Sequence, residues 1–174
     1  MFLWQRYRER KRRSRSLRSE VFARHDRLVE QTCAWTGSGL FSLPDDFNLR
    51  FEVMVFLVSL QLFAWRQRAQ PEDESRIECL WEAMFEGFDH SLRERGVPDM
   101  RIGSRMRKLL EHATGRRQAY LEALESRDRD RFHAAIGRNV LNGAPSDDPR
   151  IQRLLEEVQA IFPNGNFPED TKTP

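Results

Sequence analysis

Four histidines and two cysteines are the residues of this 174-residue chain best equipped for chemistry, and their spacing gives them little to do. His25, His90, His112 and His133 form no His-Glu-x-x-His, and no two share a metal-ligand spacing. Glu86 and His90 lie one helical turn apart, as do Asp130 and His133. A carboxylate di-metal bundle needs two Glu-x-x-His units and two further inward glutamates, and that set is missing. His90, beside Asp89, reads instead as a flanking polar residue. Cys33 and Cys79 form no Cys-x-x-Cys. They fall on apolar faces of helix-like sequence, where a thiol behaves as a small core-filling hydrophobe. Gly37-Ser38-Gly39 is a lone Gly-x-Gly with no preceding strand and no third glycine, so it makes no nucleotide-binding turn. A Gly-x-Ser-x-Gly elbow is absent too. The expectation is a protein with no catalytic residues, no metal, no cofactor and no small-molecule substrate: a binding protein and not an enzyme.

What remains is how the chain is built and what its surfaces attract. The most apolar stretch, Phe47 to Trp65, reads FNLRFEVMVFLVSLQLFAW. Its charge-free run, Val53 to Trp65, is shorter than the about 20 residues a bilayer span needs, and Arg50 and Glu52 interrupt its start. On a helical projection Asp45, Asn48, Glu52, Ser59 and Arg66 share one narrow face. The pattern predicts a central bundle helix with only that edge in water.

Around it the sequence marks further helices. Ser19 or Glu20 opens one running to about Trp35, with Phe22, His25, Leu28, Val29, Thr32 and Cys33 on its apolar face. Asp45 or Asp46 caps the central helix. A third carries Ile77, Leu80, Trp81, Met84, Phe85, Phe88 and Leu92 and stops before Gly96 and Pro98. A fourth starts at Asp99 or Gly103 and ends near Ser126. A fifth begins at Asp128 or Asp130 and ends at Asn142-Gly143. Asp148-Pro149 starts the last, Pro being suited to the first helical position. No strand alternation is visible. The fold class is all-α, a single compact bundle of about six helices around a buried central helix. The expected organisation is a basic, flexible arm over residues 1–18, a helical domain over 19–162 and a disordered tail over 163–174.

The formal net charge of +2 hides an asymmetry, because residues 1–20 carry eight basic side chains against two acidic ones. Arg10, Lys11, Arg12, Arg13 and Arg15 in the arm, with Arg105, Lys108 and Arg116 in the fourth helix, are candidates for an anionic surface: ribosome, nucleic acid or acidic lipid. No apolar h-region follows the arm, so it does not read as a secretory signal. Twelve phenylalanines and four tryptophans are many for six helices. Phe51, Phe56, Trp81, Phe85 and Phe88 are the candidates for binding an apolar partner, in any part of the central helix that its neighbours leave uncovered.

The order of residues from Leu80 to Gly143 then adds a resemblance. Ser91-Leu92-Arg93-Glu94 with Gly96-Val97 and Asp99 is its most recognisable piece. Arg105-Met106-Arg107-Lys108, Gly115-Arg116, Tyr120, Ala123-Leu124 and Ala135-Ile136-Gly137-Arg138-Asn139 continue it, and Asp46 with Arg50-Phe51-Glu52 extends it upstream. This pattern, spanning about residues 20–145, resembles the ubiquinol–cytochrome c chaperone family, assembly factors for cytochrome b of the bc1 complex. It departs from the pattern where Thr114 precedes Gly115, where Leu49 precedes Arg50 and at Leu57. The resemblance implies a chaperone that holds a cytochrome b-like membrane-protein client, works with a small partner protein, and contacts the ribosome or an anionic membrane. It also implies a location on the cytoplasmic or mitochondrial-matrix side, soluble or peripheral to the inner membrane and not secreted. The alternative reading is a ribosome- or nucleic-acid-binding helical protein acting through the arm and the basic helix.

Overall fold

In the computed structural model of the protein, residues 2–163, 165 and 167 are described, with side chains from Ser14 onward. Six helices account for the architecture of the described residues: α1 (Phe2–Gly37), α2 (Phe47–Arg68), α3 (Asp73–Glu94), α4 (Asp99–Glu125), α5 (Arg129–Asn139) and α6 (Pro149–Ile161). This is the all-α bundle expected. α2 packs against α1, α3 and α4, while α5 leans on α4 and α6 on α5. The first helix differs most from expectation. It begins at Phe2 and not at Ser19, because an Arg-rich segment has ample helix propensity even where no apolar stripe announces it. The side chains of Arg10, Lys11, Arg12 and Arg13 lie outside the described ones, as does most of the expected tail.

α2 is positioned by its ends. Asp46 caps it, its carboxylate accepting the Leu49 N–H at 2.9 Å. Asp45 accepts two bonds from the Arg50 guanidinium, both 2.7 Å. At the far end Ala69 turns into the left-handed region at φ 51°. Between them fourteen residues are buried, from Leu49 to Trp65. Each large apolar side chain fully removed from water stabilises the fold by about 1.5–3 kcal/mol. α2 is long and apolar enough to cross a membrane by length and composition, yet 72% of that apolar window is buried against the other helices. The polar edge is less continuous than its spacing suggests. Asn48 and Arg66 are exposed, but Ser59 is fully buried and returns its hydroxyl to the Val55 carbonyl at 2.7 Å. A serine can satisfy itself within its own helix, so it does not mark a wet face.

α1 is also rotated from the expected face. Val21, Leu28, Thr32, Trp35 and Thr36 point inward, while Val29 and Cys33 are exposed. Cys33 is thus not a core thiol, and Cys79 is half-buried.

The signature residues around Gly96 build a corner. The Val97 N–H reaches back to the Leu92 carbonyl at 3.1 Å and the Gly96 N–H to that of Arg93 at 2.9 Å. This is a Schellman motif, which needs a left-handed residue after the helix, and Gly96 supplies it at φ 72°. Arg93 then brackets the corner, donating to Asp89 and to Asp99 at 2.7 Å each. Gly137 has a different reason. A Cβ there would lie 2.3 Å from the Ala144 carbonyl oxygen, where the chain after α5 folds back to bond Gly137.

Candidate functional site

An open groove of about 500 Å³ lies where the first turns of α2 emerge between α1 and α3. Phe51, Met54, Met84 and Phe88 are buried and form its floor. Val29, Thr32 and Cys33 of α1 form one wall, and Phe47 closes one end. The rim is charged on both sides, with Asp26 and Glu94 facing Arg50 and Arg95. Gly87 of α3 faces the His25 ring of α1 here, and a Cβ added to it would stand in ordinary contact with that ring at 3.5 Å. Two methionines in an apolar floor make it adaptable, because an unbranched thioether side chain fills irregular space well.

The aromatic candidates divide on this geometry. Phe51 and Phe88 stack at 5.2 Å, Phe85 meets Phe88 at 6.0 Å, and Trp81 meets Phe85 at 5.3 Å, so four of the five form one row leading out of the groove. Trp81 and Phe85 are half-buried. Phe56 does not join them. It is fully buried on the opposite side of α2, against Tyr120 at 5.3 Å and Phe132 at 6.2 Å. It has no surface to offer a partner and belongs to the core. The groove also uses residues not marked as binding candidates from the sequence: Phe47, Met54, Met84, Val29 and Cys33. Met54 and Met84 belong to different helices, so no local spacing announces them.

The basic candidates divide too. Arg116 is not a free cation. It pairs with Glu52 of α2 in a partly buried ion pair, and its guanidinium lies 5.8 Å from the Phe51 ring. Burial pushes the Glu52 carboxyl above its ordinary value, while the hydrogen bond from Arg116 pulls the other way. Arg117 is also engaged, 4.2 Å over Trp81. Arg105 and Lys108 are exposed and line a neighbouring hollow of about 700 Å³ with Arg95 and His112. Phe47 borders both cavities, and Arg95 lies 5.2 Å over its ring. Arg15 is exposed on α1. Among the described residues, no group of three or more His, Cys, Asp or Glu side chains is arranged to hold a metal ion.

The motif residues therefore have defined places. Asp46 and Arg50-Phe51-Glu52 start α2, floor the groove and anchor it to α4. Ser91 and Glu94 line the groove's α3 side, and Arg93, Gly96 and Asp99 hold the adjoining corner. The family model for ubiquinol–cytochrome C chaperones matches residues 40–162, which is most of the chain. The chain belongs to the ubiquinol–cytochrome c chaperone family. The match starts later and runs further than the resemblance quoted above, taking in α2 to α6 and leaving α1 outside. A solved structure, that of the Cbp3 homolog from Brucella abortus, has the same fold as this chaperone-family chain. Its TM-score is 0.67 at 23% identity, over 96% of this chain and 95% of that one, so α1 is part of the shared fold. Among curated proteins, none matches significantly.

Proposed function

We propose that this protein is a non-enzymatic assembly chaperone that binds newly made cytochrome b and holds it until the bc1 complex is built. The observation that carries the reading is the apolar, methionine-floored groove beside α2, whose α2 and α3 sides lie within the residues that the family model matches. Its floor suits an apolar helix of a membrane-protein client, anchored by large side chains at helical spacing. Its mixed-charge rim suits the polar ends of such a segment. No bond is made or broken; the function is to keep apolar surface out of water until a permanent partner takes it. A small partner chaperone would occupy another face. The reading places the protein on the cytoplasmic or matrix side of the inner membrane, soluble or peripheral to it.

The experiment is affinity purification of the tagged chain from its native host. Cytochrome b should co-purify, and a strain lacking the protein should lose assembled bc1 complex. An intact complex in that strain would overturn the proposal. Val29→Glu, at the exposed groove wall, should abolish co-purification while leaving the fold intact.

A further inference from the structure

Several cations of this protein are held by carboxylates: Arg50, Arg68, Arg76, Arg93, Arg116 and Arg150 all sit in ion pairs. The first half of α4 concentrates cations that are not. From Met100 to Leu110 it holds Arg101, Arg105, Arg107 and Lys108 and no acidic residue. All four are exposed, and none makes an ion pair among the described residues. Arg95, at the preceding corner, is exposed and likewise without an ion pair.

In the middle of these charges stands a large apolar side chain with no cover. Met100 is 97% exposed, far more than any other large hydrophobic residue among the described ones. On a helix of 3.6 residues per turn it shares the outward face with Ser104 and Arg107, with Lys108 and Arg101 to one side and the exposed Glu111 three turns further along. Ile102, on the opposite side, is buried, which fixes that orientation. An exposed methionine with unpaired cations along the same helix suits an interfacial helix: the apolar side chain enters the acyl boundary and the cations meet headgroup phosphates.

We infer that the Met100–Lys108 segment of α4 docks on an anionic phospholipid surface, with Met100 inserted. A nucleic acid would use the same cations but would leave Met100 in water. The inference goes beyond the client groove, and vesicle binding is measured with no client present.

The test uses the full chain and vesicles of phosphatidylcholine with and without phosphatidylglycerol. The wild type should sediment with the anionic vesicles only. Removing three surface cations in Arg101→Gln/Arg107→Gln/Lys108→Gln should weaken that binding roughly a hundredfold. Met100→Ser, which leaves every charge in place, should weaken it roughly tenfold. Both variants change exposed side chains and should keep the wild-type circular dichroism and unfolding midpoint. Wild-type vesicle affinity in both variants would overturn the inference, since the N-terminal arm would then carry all the binding. So would binding of a short RNA that the triple variant loses and Met100→Ser keeps, with vesicle binding unchanged in both.

Discussion

The two halves of α2 end in opposite circumstances, and they differ in sequence as well: Val55 to Leu62 holds no charge, whereas Phe47 to Met54 carries Arg50 and Glu52. From Val55 to Leu62 the helix is sealed, most of its side chains having no exposure, with Phe56, Tyr120 and Phe132 closing ring against ring. From Phe47 to Met54 its floor residues are buried, but the space above them stays open between α1 and α3. Hydropathy accounts for only part of the contrast. The rest comes from the neighbours: α4 and α5 bring large rings to the first, while α1 brings Val29, Thr32 and Cys33 to the second. Apolar sequence says what must leave water; neighbouring helices decide what is left over for a partner.

The sharpest way to break this contrast is to truncate the sealed half. Phe56→Ala should cost about 3–5 kcal/mol in chemical denaturation, the range for emptying a large aromatic site in a core that cannot collapse. Its effect on client capture should follow stability alone, because Phe56 has no exposed surface. A Phe56→Ala protein that stays as stable as wild type would show that the core is looser than the ring cluster implies.

The seam between the halves is the Glu52–Arg116 pair. Arg116→Met should cost about 2 kcal/mol at neutral pH, less than the about 3–5 for breaking a fully buried pair, since both side chains keep some exposure. The sign with pH is specific. Glu52 is raised in the folded protein by burial, and without Arg116 it rises further. The folded variant then takes up a proton more readily than the unfolded chain, so ionised Glu52 weakens it. The deficit against wild type should be full above the raised value, shrink as pH falls through it, and close below the unfolded glutamate range. Asp45 and Asp148 behave oppositely. Arginine partners hold each at about 2, so the stability they contribute is present above the unfolded aspartate range and lost as pH falls toward about 2. Comparing the variant with wild type at each pH isolates Glu52. A deficit that grows on acidification would contradict this account.

Much of the fold was legible in the sequence, and for definite reasons. Asp46, Asp128 and Asp148 each cap a helix as their positions suggest, and Gly96 ends α3 through a left-handed turn. The start of α1 was not legible, because its arginine-rich sequence shows no apolar rhythm. Nor was its rotation. Phe22, His25, Val29 and Cys33 follow a helical spacing as good as that of Val21, Leu28, Thr32 and Trp35, and only packing on α2 chooses between them. The groove was half visible. Phe51, Phe88, Phe85 and Trp81 were candidates by type, whereas Phe56 shared that type and went to the core. Arg116 looked like a surface cation until Glu52, 64 residues away, was found beside it.

Smaller effects sharpen the picture of the corner that closes the groove. Gly96→Ala meets no neighbour within 4 Å, so its cost is conformational only, about 1 kcal/mol at a positive φ. The α4–α5 corner holds Arg127 in the same left-handed region at φ 54°, with the same pair of backbone bonds to Leu124 and Ala123. Arg127→Gly should therefore stabilise the protein, by up to about 1 kcal/mol. Thermal unfolding of the two variants should move in opposite directions; equal shifts would argue against the shared geometry. Val29→Glu should stay within about 0.5 kcal/mol of wild type, as an exposed substitution, even as it removes binding.

The most direct test of the groove is site-specific photo-cross-linking in the native host during synthesis of cytochrome b. A photoreactive residue at Val29, on the open half, should capture newly made cytochrome b, and one at exposed Gln159 on α6 should not. Capture from Gln159 with none from Val29 would contradict the claim that the open half of α2 holds the client.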